Sequence, residues 1–429
     1  MRAAAFKFAP FSKKQRMVLN WWTQESPVKD YDGIIADGAI RSGKTVSMSL
    51  SFVAWAMETF DGQNFIMAGK TIASLRRNVL SVLTPILRGR GYSCEERRGD
   101  GLLVVSRGSR ENRFYTFDGH DDRSQDLVQG ITAAGAFFDE VALMPESFVN
   151  QATGRCSVDG SKLWFNCNPA GAMHWFKRGW IDERLSKNLL YLHFTMDDNN
   201  SLSERIKARY RSMYAGVFYQ RYIQGLWAIA EGLIYTMVTE ENYYTPQERP
   251  AGLYDVSRRF IAVDYGTTNP CVFLDCYDDG LKIWVDREYR WDSRSEAAKR
   301  TGNPQRTDAQ YADDMAEFMG ADPAGLCPII CDPSAASFIT ELRGRGYFVK
   351  PADNEVLDGI RTVGALFQKR YIMINREACP GLIAELQAYV WDDKAAQRGE
   401  EKPVKTLDHA PDALRYMIMT TLPAWRRGQ

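Results

Sequence analysis

The sequence predicts an α/β protein built in two sheet-based units, and three observations lead there. Apolar strand-like runs alternate with helix-like runs from about residue 31 to 196, the pattern of a parallel sheet with helices on its faces. A stretch rich in Pro, Gly, Tyr and charge interrupts this pattern near residues 232–258 and reads as a boundary. A second set of strand-like runs then begins at RFIAVDYG. A chain of 429 residues is also too long for one ordinary core and suits two or three domains of about 150 residues each.

The expected strands of the first unit are GIIA (33–36), NFIMAG (64–69), FYTF (114–117), AAGAFFDE (133–140), KLWFNCN (162–168) and LLYLHFT (189–195). A charged helical segment follows at about 200–230. In the second unit the strands are RFIAVDYG, CVFLDCYDDGLKIWVDREYRW, CPIICDPS and YIMIN, with a hairpin turn at Asp278-Asp279-Gly280. A helix, HAPDALRYMIMTTL, ends the unit.

Composition narrows the function classes. Apolar residues make up 45% and charged residues 25%, which is ordinary globular material. A net charge of +0 excludes a globally basic surface, yet 54 Lys+Arg leave room for a local basic groove. Eight cysteines form no CxxC pair and no zinc-like cluster, so buried free thiols are expected. No apolar run reaches about 18 residues, and no membrane span is expected. The basic start MRAAAFKFAPFSKKQR reads as an N-terminal arm, since it has no apolar core of signal-peptide length.

The first chemical site is GAIRSGKT, residues 38–45, which fits G-x-x-x-x-G-K-[ST] between a strand and a helix. Gly38 and Gly43 let the backbone curl so that its N–H groups, Ser42 among them, face phosphate oxygens. Lys44 supplies a positive charge to the β/γ-phosphates and Thr45 a hydroxyl to Mg²⁺. The strand AAGAFFDE ends in Asp139-Glu140. Asp139 can hold Mg²⁺ and Glu140 can orient and deprotonate water. A tandem Asp-Glu favours hydrolysis of ATP over phosphoryl transfer to another acceptor. Arg41 inside the loop is either a phosphate-charge stabiliser or a surface residue paired with Asp37. Asn168-Pro169 at the next strand tip is either a γ-phosphate sensor or a plain turn.

The second site is a set of scattered carboxylates. Asp264 and Asp332 each end an apolar strand. Asp408, His409 and Asp412 share one end of the last helix. If they converge, their repulsion calls for cations, and hard oxygen ligands suit Mg²⁺ or Mn²⁺, two of which can cut a phosphodiester. Asp408 is either a fourth ligand or the N-cap of the helix.

These motifs, in this order, resemble the large terminase subunit of tailed bacteriophages and prophages. GAIRSGKT, LVQGITAAGAFFDEVALMPESFVNQATGRCS, LWFNCNPAG, HFTMDDNNSL, GLWAIAEGLIY, FIAVDYGTTNP, IICDPSAASFITELR and LDHAPDALRY carry the likeness. The resemblance implies an N-terminal RecA-like P-loop ATPase (1–235, helical lid about 200–230), a linker (236–258) and a C-terminal RNase H-like nuclease (259–429). It implies ATP and Mg²⁺ contacts from Gly38, Ser42, Gly43, Lys44, Thr45 and Asp139, and a catalytic role for Glu140 and Arg41. It implies adenine contact by Gln15, coupling by Asn168 and Pro169, nuclease metal ligation by Asp264, Asp332 and Asp412, and support from His409. Arg155 and Arg123 are the nearest candidates for an arginine finger acting in trans. The implied partners are double-stranded DNA, the capsid portal, a small terminase subunit and further copies in a ring. The implied location is the cytoplasm of the bacterial host.

The expected function is therefore ATP-driven packaging of DNA into a procapsid, with metal-dependent cutting of concatemers at start and end. A helicase-like nucleic-acid ATPase without nuclease activity is the alternative. A structural capsid or portal component that uses nucleotide only for assembly is a third reading. Basic runs such as SLRRNVLSVL and ERIKARYR are either DNA grips or solvated helix faces.

Overall fold

The structure is a computed structural model that describes residues 10–256, 258–267, 269–302, 304–320 and 327–425. The chain divides into two compact units. The first holds Met1–Arg211, Val217–Ile229 and Gln397–Glu400, and the second Ser212–Gly216, Ala230–Ala396 and Glu401–Gln429. Among the described residues no helix is long and apolar enough to cross a membrane.

The first unit is an eight-stranded sheet in the order β3-β4-β5-β2-β6-β7-β1-β8. Its strands are β1 (Gly33–Gly38), β2 (Asn64–Gly69), β3 (Ser93–Arg97), β4 (Leu102–Arg107), β5 (Arg110–Asp118), β6 (Gly135–Asp139), β7 (Lys162–Asn166) and β8 (Leu189–Phe194). Pairing is parallel from β5 through β8. The edge departs from the expected parallel sheet: β3, β4 and β5 pair antiparallel. The physical reason is the link Gly108-Ser109, whose two residues can only turn the chain back. Gly108 takes φ +62°, as such a turn requires.

Burial on both faces explains the continuous apolar strands. One face carries the helix α2 (Lys44–Thr59), whose Phe52 ring lies 5.2–6.0 Å from those of Trp55, Phe65, Phe114, Phe137 and Trp164. The opposite face buries Phe138, Phe165 and Phe176, with Phe138 stacked on Phe165 at 5.2 Å. The helix α1 (Lys13–Asn20) packs on α2 and opens with a Ser12–Gln15 capping box. After β2 a helical run passes from α3 (Ile72–Leu75) through a π-helical turn, Arg76–Leu80, into α4 (Ser81–Gly89). The charged segment near 200–230 forms helices Glu204–Arg211 and Gly216–Tyr222.

The second unit is a mixed seven-stranded sheet in the order β14-β13-β10-β11-β12-β15-β9. Its strands are β9 (Tyr243–Tyr244), β10 (Arg258–Asp264), β11 (Cys271–Asp278), β12 (Ile283–Trp291), β13 (Ile329–Cys331), β14 (Val349–Pro351) and β15 (Ile372–Asn375). β10, β11 and β12 form an antiparallel meander, and β13 lies parallel to β10. The Asp278-Asp279-Gly280 hairpin turn forms as expected, with Leu281 and Lys282 N–H groups donating to Asp279 Oδ1. The helix His409–Trp425 packs along β10 and β11. All eight cysteines are free, and all but Cys156 are buried.

The Phe52 ring cluster yields a direct test of this packing. Phe52→Ala is expected to cost about 3–5 kcal/mol of stability in the first unit. Leu185→Ala, at a side chain 76% exposed, should change it by less than about 0.5 kcal/mol. Urea denaturation of both variants beside the wild type measures the difference.

Candidate functional site

A cleft of about 570 Å³ opens at the carboxyl ends of β1, β6 and β7. Its floor is the loop Ile40–Thr45, and Asp139, Glu140, Asn166 and Asn168 line the wall. The loop is shaped by close approaches. A Cβ on Gly38, at φ +124°, would stand 1.9 Å from the Phe194 carbonyl oxygen. A Cβ on Gly43, at φ +85°, would stand 2.2 Å from Gln15 Nε2. α2 starts at Lys44, so its free N–H groups face the cleft.

Lys44 is 5% exposed, and its ammonium donates to Gly38 O, Ala39 O, Ser42 Oγ and Asn168 Oδ1. Burial lowers its pKa to about 8, although the charges of Asp37, Asp139 and Glu140 oppose the shift. Thr45 Oγ1 donates to Asp139 Oδ1 at 3.2 Å. Burial, with the neighbouring Glu140 charge, pushes Asp139 up to about 7. Glu140 lines the cleft in a left-handed conformation, φ 59°, which a glutamate adopts only under constraint. Arg41 also has φ 59°, and its guanidinium stacks 5.5 Å over Tyr210. Pairing of Arg41 with Asp37 does not occur. Asp37 is fully buried and satisfied by Tyr191 Oη (3.0 Å), His193 Nδ1 (3.0 Å) and Trp227 Nε1 (2.6 Å).

Gln15 reaches the loop at Gly43, while its carbonyl accepts from Ser12 N in the helix cap. Asn168 touches Lys44, and the adjoining Pro169 is buried. Arg123 and Arg155 do not line the cleft. Asn166, Arg77 and Asn78 also line it and were not singled out as site residues from the sequence. Asn166 pairs in register with Asp139 and donates to both Asp139 Oδ1 and Thr45 Oγ1. Its own Oδ1 is buried without a partner. The available signal was a polar residue ending a strand that is otherwise apolar.

In the second unit, Asp264 ends β10 and lies 2.9 Å from His409 Nδ1. Burial raises Asp264 to about 6; its hydrogen bond to His409 opposes this, and the charges of Asp412 and Asp408 add to it. Asp412 is buried in the first turn of the last helix. It accepts from Lys405 Nζ at 3.0 Å and Tyr389 Oη at 3.2 Å, and pairs with Arg415 Nη2 at 3.0 Å. Lys405 Nζ also stands 3.3 Å from Asp408 Oδ2, bridging the two carboxylates. Asp408 directly precedes the helix and its carbonyl accepts from Asp412 N at 2.8 Å, while the Ala410 N–H donates to Glu385 Oε2 at 2.7 Å. Asp332 follows β13 and accepts from Ser334 N and Asn354 Nδ2. Burial raises the Tyr416 hydroxyl, and the nearby charges of Asp412, Asp264 and Asp332 add to this. Among the described residues, no three His, Cys, Asp or Glu side chains form a ready metal cluster. Lys405 and Arg415 supply the positive charge beside Asp408 and Asp412 instead.

The comparisons with known proteins agree with this architecture. The family description "Terminase large subunit, T4likevirus-type, N-terminal" matches residues 35–264, more than half of the chain. The chain belongs to the phage terminase large subunits. The large terminase of a thermophilic bacteriophage is 52% identical, covers 96% of this chain and 100% of its own, and superposes with a TM-score of 0.84. The same thermophilic-phage terminase solved in complex with ATP-gamma-S is 51% identical over 95% of this chain and 98% of its own, with a TM-score of 0.79. The terminase large subunit of Escherichia phage T5 is 28% identical over 343 residues, 74% of this chain and 73% of that one. The two-sheet α/β architecture is that of the large terminases, as the resemblance implied.

The Gly43 contact separates a clash from backbone strain in this terminase. Gly43→Ala combines both, whereas Gly62→Ala, at φ +69° with nothing within 4 Å of the new Cβ, carries strain alone. Both should lose about 1–3 kcal/mol from strain, and Gly43→Ala should lose measurably more. Calorimetric melting of the two variants checks the order.

Proposed function

We propose that the first unit hydrolyses ATP to drive double-stranded DNA into a procapsid, and that the second cuts concatemeric DNA at initiation and termination. The assignment takes residues 1–235 as the ATPase domain with its helical lid at about 200–230, 236–258 as a linker, and 259–429 as the nuclease. The observation that carries it is the cleft itself, where a phosphate-binding loop, Thr45, Asp139 and Glu140 meet. The ATP-gamma-S complex of the thermophilic-phage terminase supports nucleotide as the ligand.

In this reading Lys44 leaves its loop carbonyls for β/γ-phosphate oxygens, a short transfer because its ammonium already faces the cleft. Thr45 and Asp139 would hold Mg²⁺. The orphaned Asn166 Oδ1 beside them is a further hard oxygen, so the residues fit such an ion. The ion supplies charge to the phosphate oxygens. Glu140 takes the proton of the attacking water, Arg41 leaves Tyr210 to meet developing phosphate charge, and Gln15 stands on the adenine side. Asn168, touching Lys44, passes the loss of the γ-phosphate to the segment that begins at Pro169. Glu140→Gln is expected to keep ATP-gamma-S affinity within about twofold and to lower turnover by about 10²-fold or more, read by calorimetry and phosphate release.

For the nuclease, Asp264, Asp332 and Asp412 would hold Mg²⁺ or Mn²⁺, with Asp408 beside them and His409 orienting Asp264. The donors are carboxylate oxygens, and Lys405 already rests in a cationic position between two of them, so the set fits hard divalent ions. Such ions activate water and stabilise the leaving oxygen of a phosphodiester. By family likeness the portal, a small subunit and further copies in a ring are the partners, in the cytoplasm of the bacterial host. Asp264→Ala should abolish Mn²⁺-dependent plasmid nicking while leaving ATPase activity intact. Equal nicking by variant and wild type would sink the nuclease assignment and leave a helicase-like ATPase.

A further inference from the structure

We propose that Arg77 is a cis-acting contact to the terminal phosphate of the bound nucleotide. The inference rests on the nucleotide reading above and adds a residue that the loop motif does not contain.

Arg77 and Asn78 line the cleft from the π-helical turn between α3 and α4. Strand order fixes the side from which they come. β2 neighbours β6 on the flank away from β7 and β1. The chain that follows β2 therefore enters the cleft beyond Asp139-Glu140. That flank is opposite the one where Gln15 meets Gly43. A phosphate chain laid over the loop with its base toward Gln15 points its last phosphate toward Glu140 and Arg77.

The two adjacent arginines behave differently. Arg76 Nε pairs with Glu96 Oε1 at 2.9 Å. Arg77 is exposed, its hydrogen bond is a long 3.4 Å one to Asn78 Oδ1, and no carboxylate neutralises it among the described residues. The π turn inserts one residue into the helical run and so swings neighbouring side chains apart; such insertions occur often at functional sites. Lys44 is held by loop oxygens and Arg41 lies on Tyr210. Arg77 is thus the cleft cation already free to receive an anion. Its planar fork suits two oxygens of one phosphate, and there it would offset charge developing during γ-phosphoryl transfer.

The test uses the full chain as wild type, Arg77→Ala, Arg77→Lys and Arg76→Ala. Calorimetric affinities for ATP-gamma-S and ADP, steady-state ATPase rates and DNA retardation are measured for each. Arg77→Ala should weaken ATP-gamma-S about tenfold while leaving ADP within about twofold. Its turnover should fall about 10³-fold. Arg77→Lys should keep much of the ATP-gamma-S affinity, as a point charge can, without regaining turnover. Arg76→Ala should change neither ratio. An unchanged ATP-gamma-S to ADP ratio in Arg77→Ala overturns the proposal. Loss of DNA retardation alone also overturns it and makes Arg77 a DNA-backbone contact. If Arg77→Ala does not fold, the lysine variant decides: full wild-type turnover there overturns the fork contact. A wild type that binds neither nucleotide sinks the nucleotide reading instead, so the two failures are distinguishable.

Discussion

The first unit depends on where one buried ammonium finds its oxygens. Lys44 is nearly inaccessible, and an isolated ammonium there would carry a desolvation penalty of several kcal/mol. Two carbonyls of the loop, one hydroxyl and the Asn168 amide oxygen compensate it. Those four oxygens come from the end of β1, from the turn and from the tip beyond β7. The lysine therefore ties two strands of the sheet at the point where the cleft opens. Its pKa near 8 says that the compensation is incomplete. An incompletely satisfied cation is the one that gains most from an arriving phosphate, and the displaced Asn168 then has to find another partner.

The second unit meets the converse problem, buried carboxylates in need of cations. Asp275, in the middle of β11, is fully buried and takes both Arg259 and Arg287 from the neighbouring strands. The carboxylates near Tyr416 are treated differently. Asp412 has Arg415 as a buried fixed partner, whereas Lys405 reaches it from a loop with a side chain 63% exposed. An ammonium on an exposed stem leaves easily. A guanidinium buried to 1% exposure does not. Asp412 thus carries one permanent and one exchangeable counter-charge, and Asp408 the exchangeable one.

Much of this was legible in the sequence, and the failures have physical causes. The strand ends carrying Asp139, Asn168, Asp264 and Asp332 stood out because apolar runs stop at polar residues. Asn166 ends its strand in the same way but lay inside the expected run KLWFNCN, and its register with Asp139 cannot be given by spacing along the chain. Arg77 looked like part of a basic helix face, since a regular 3.6-residue period gives Arg76 and Arg77 no reason to part. Lys405 lies in a segment with neither helical nor strand periodicity, so pattern reading passed over it. Glu385 takes the Ala410 N–H from a distant helix, a tertiary contact that no local pattern around Asp408 announces. The antiparallel edge of the first sheet escaped because β3 and β4 were not among the expected strands: β3 (SCEER) is short and charged, and β4 (LLVVSR) was passed over.

Part of the backbone strain, though not that of Arg370, falls in the same places as the chemistry. Among the described residues, Arg41, Glu140, Asn188, Arg370 and Leu407 have positive φ without being glycine. Asparagine tolerates that region and needs no explanation. Arg41 and Glu140 line the cleft, and Leu407 precedes Asp408 with its side chain 56% exposed. Glycine at each position would relieve the strain, which costs on the order of 1–3 kcal/mol per residue. For Leu407 the side chain gains little burial in return, so the turn itself is what the sequence keeps: it swings Asp408 back toward Lys405 as the helix begins. For Arg41 and Glu140 the side chain is what a glycine would lose. The strained backbone at Glu140 turns the chain directly after Asp139, so that two consecutive carboxylates, which a continuing strand would send to opposite faces, both line one cleft.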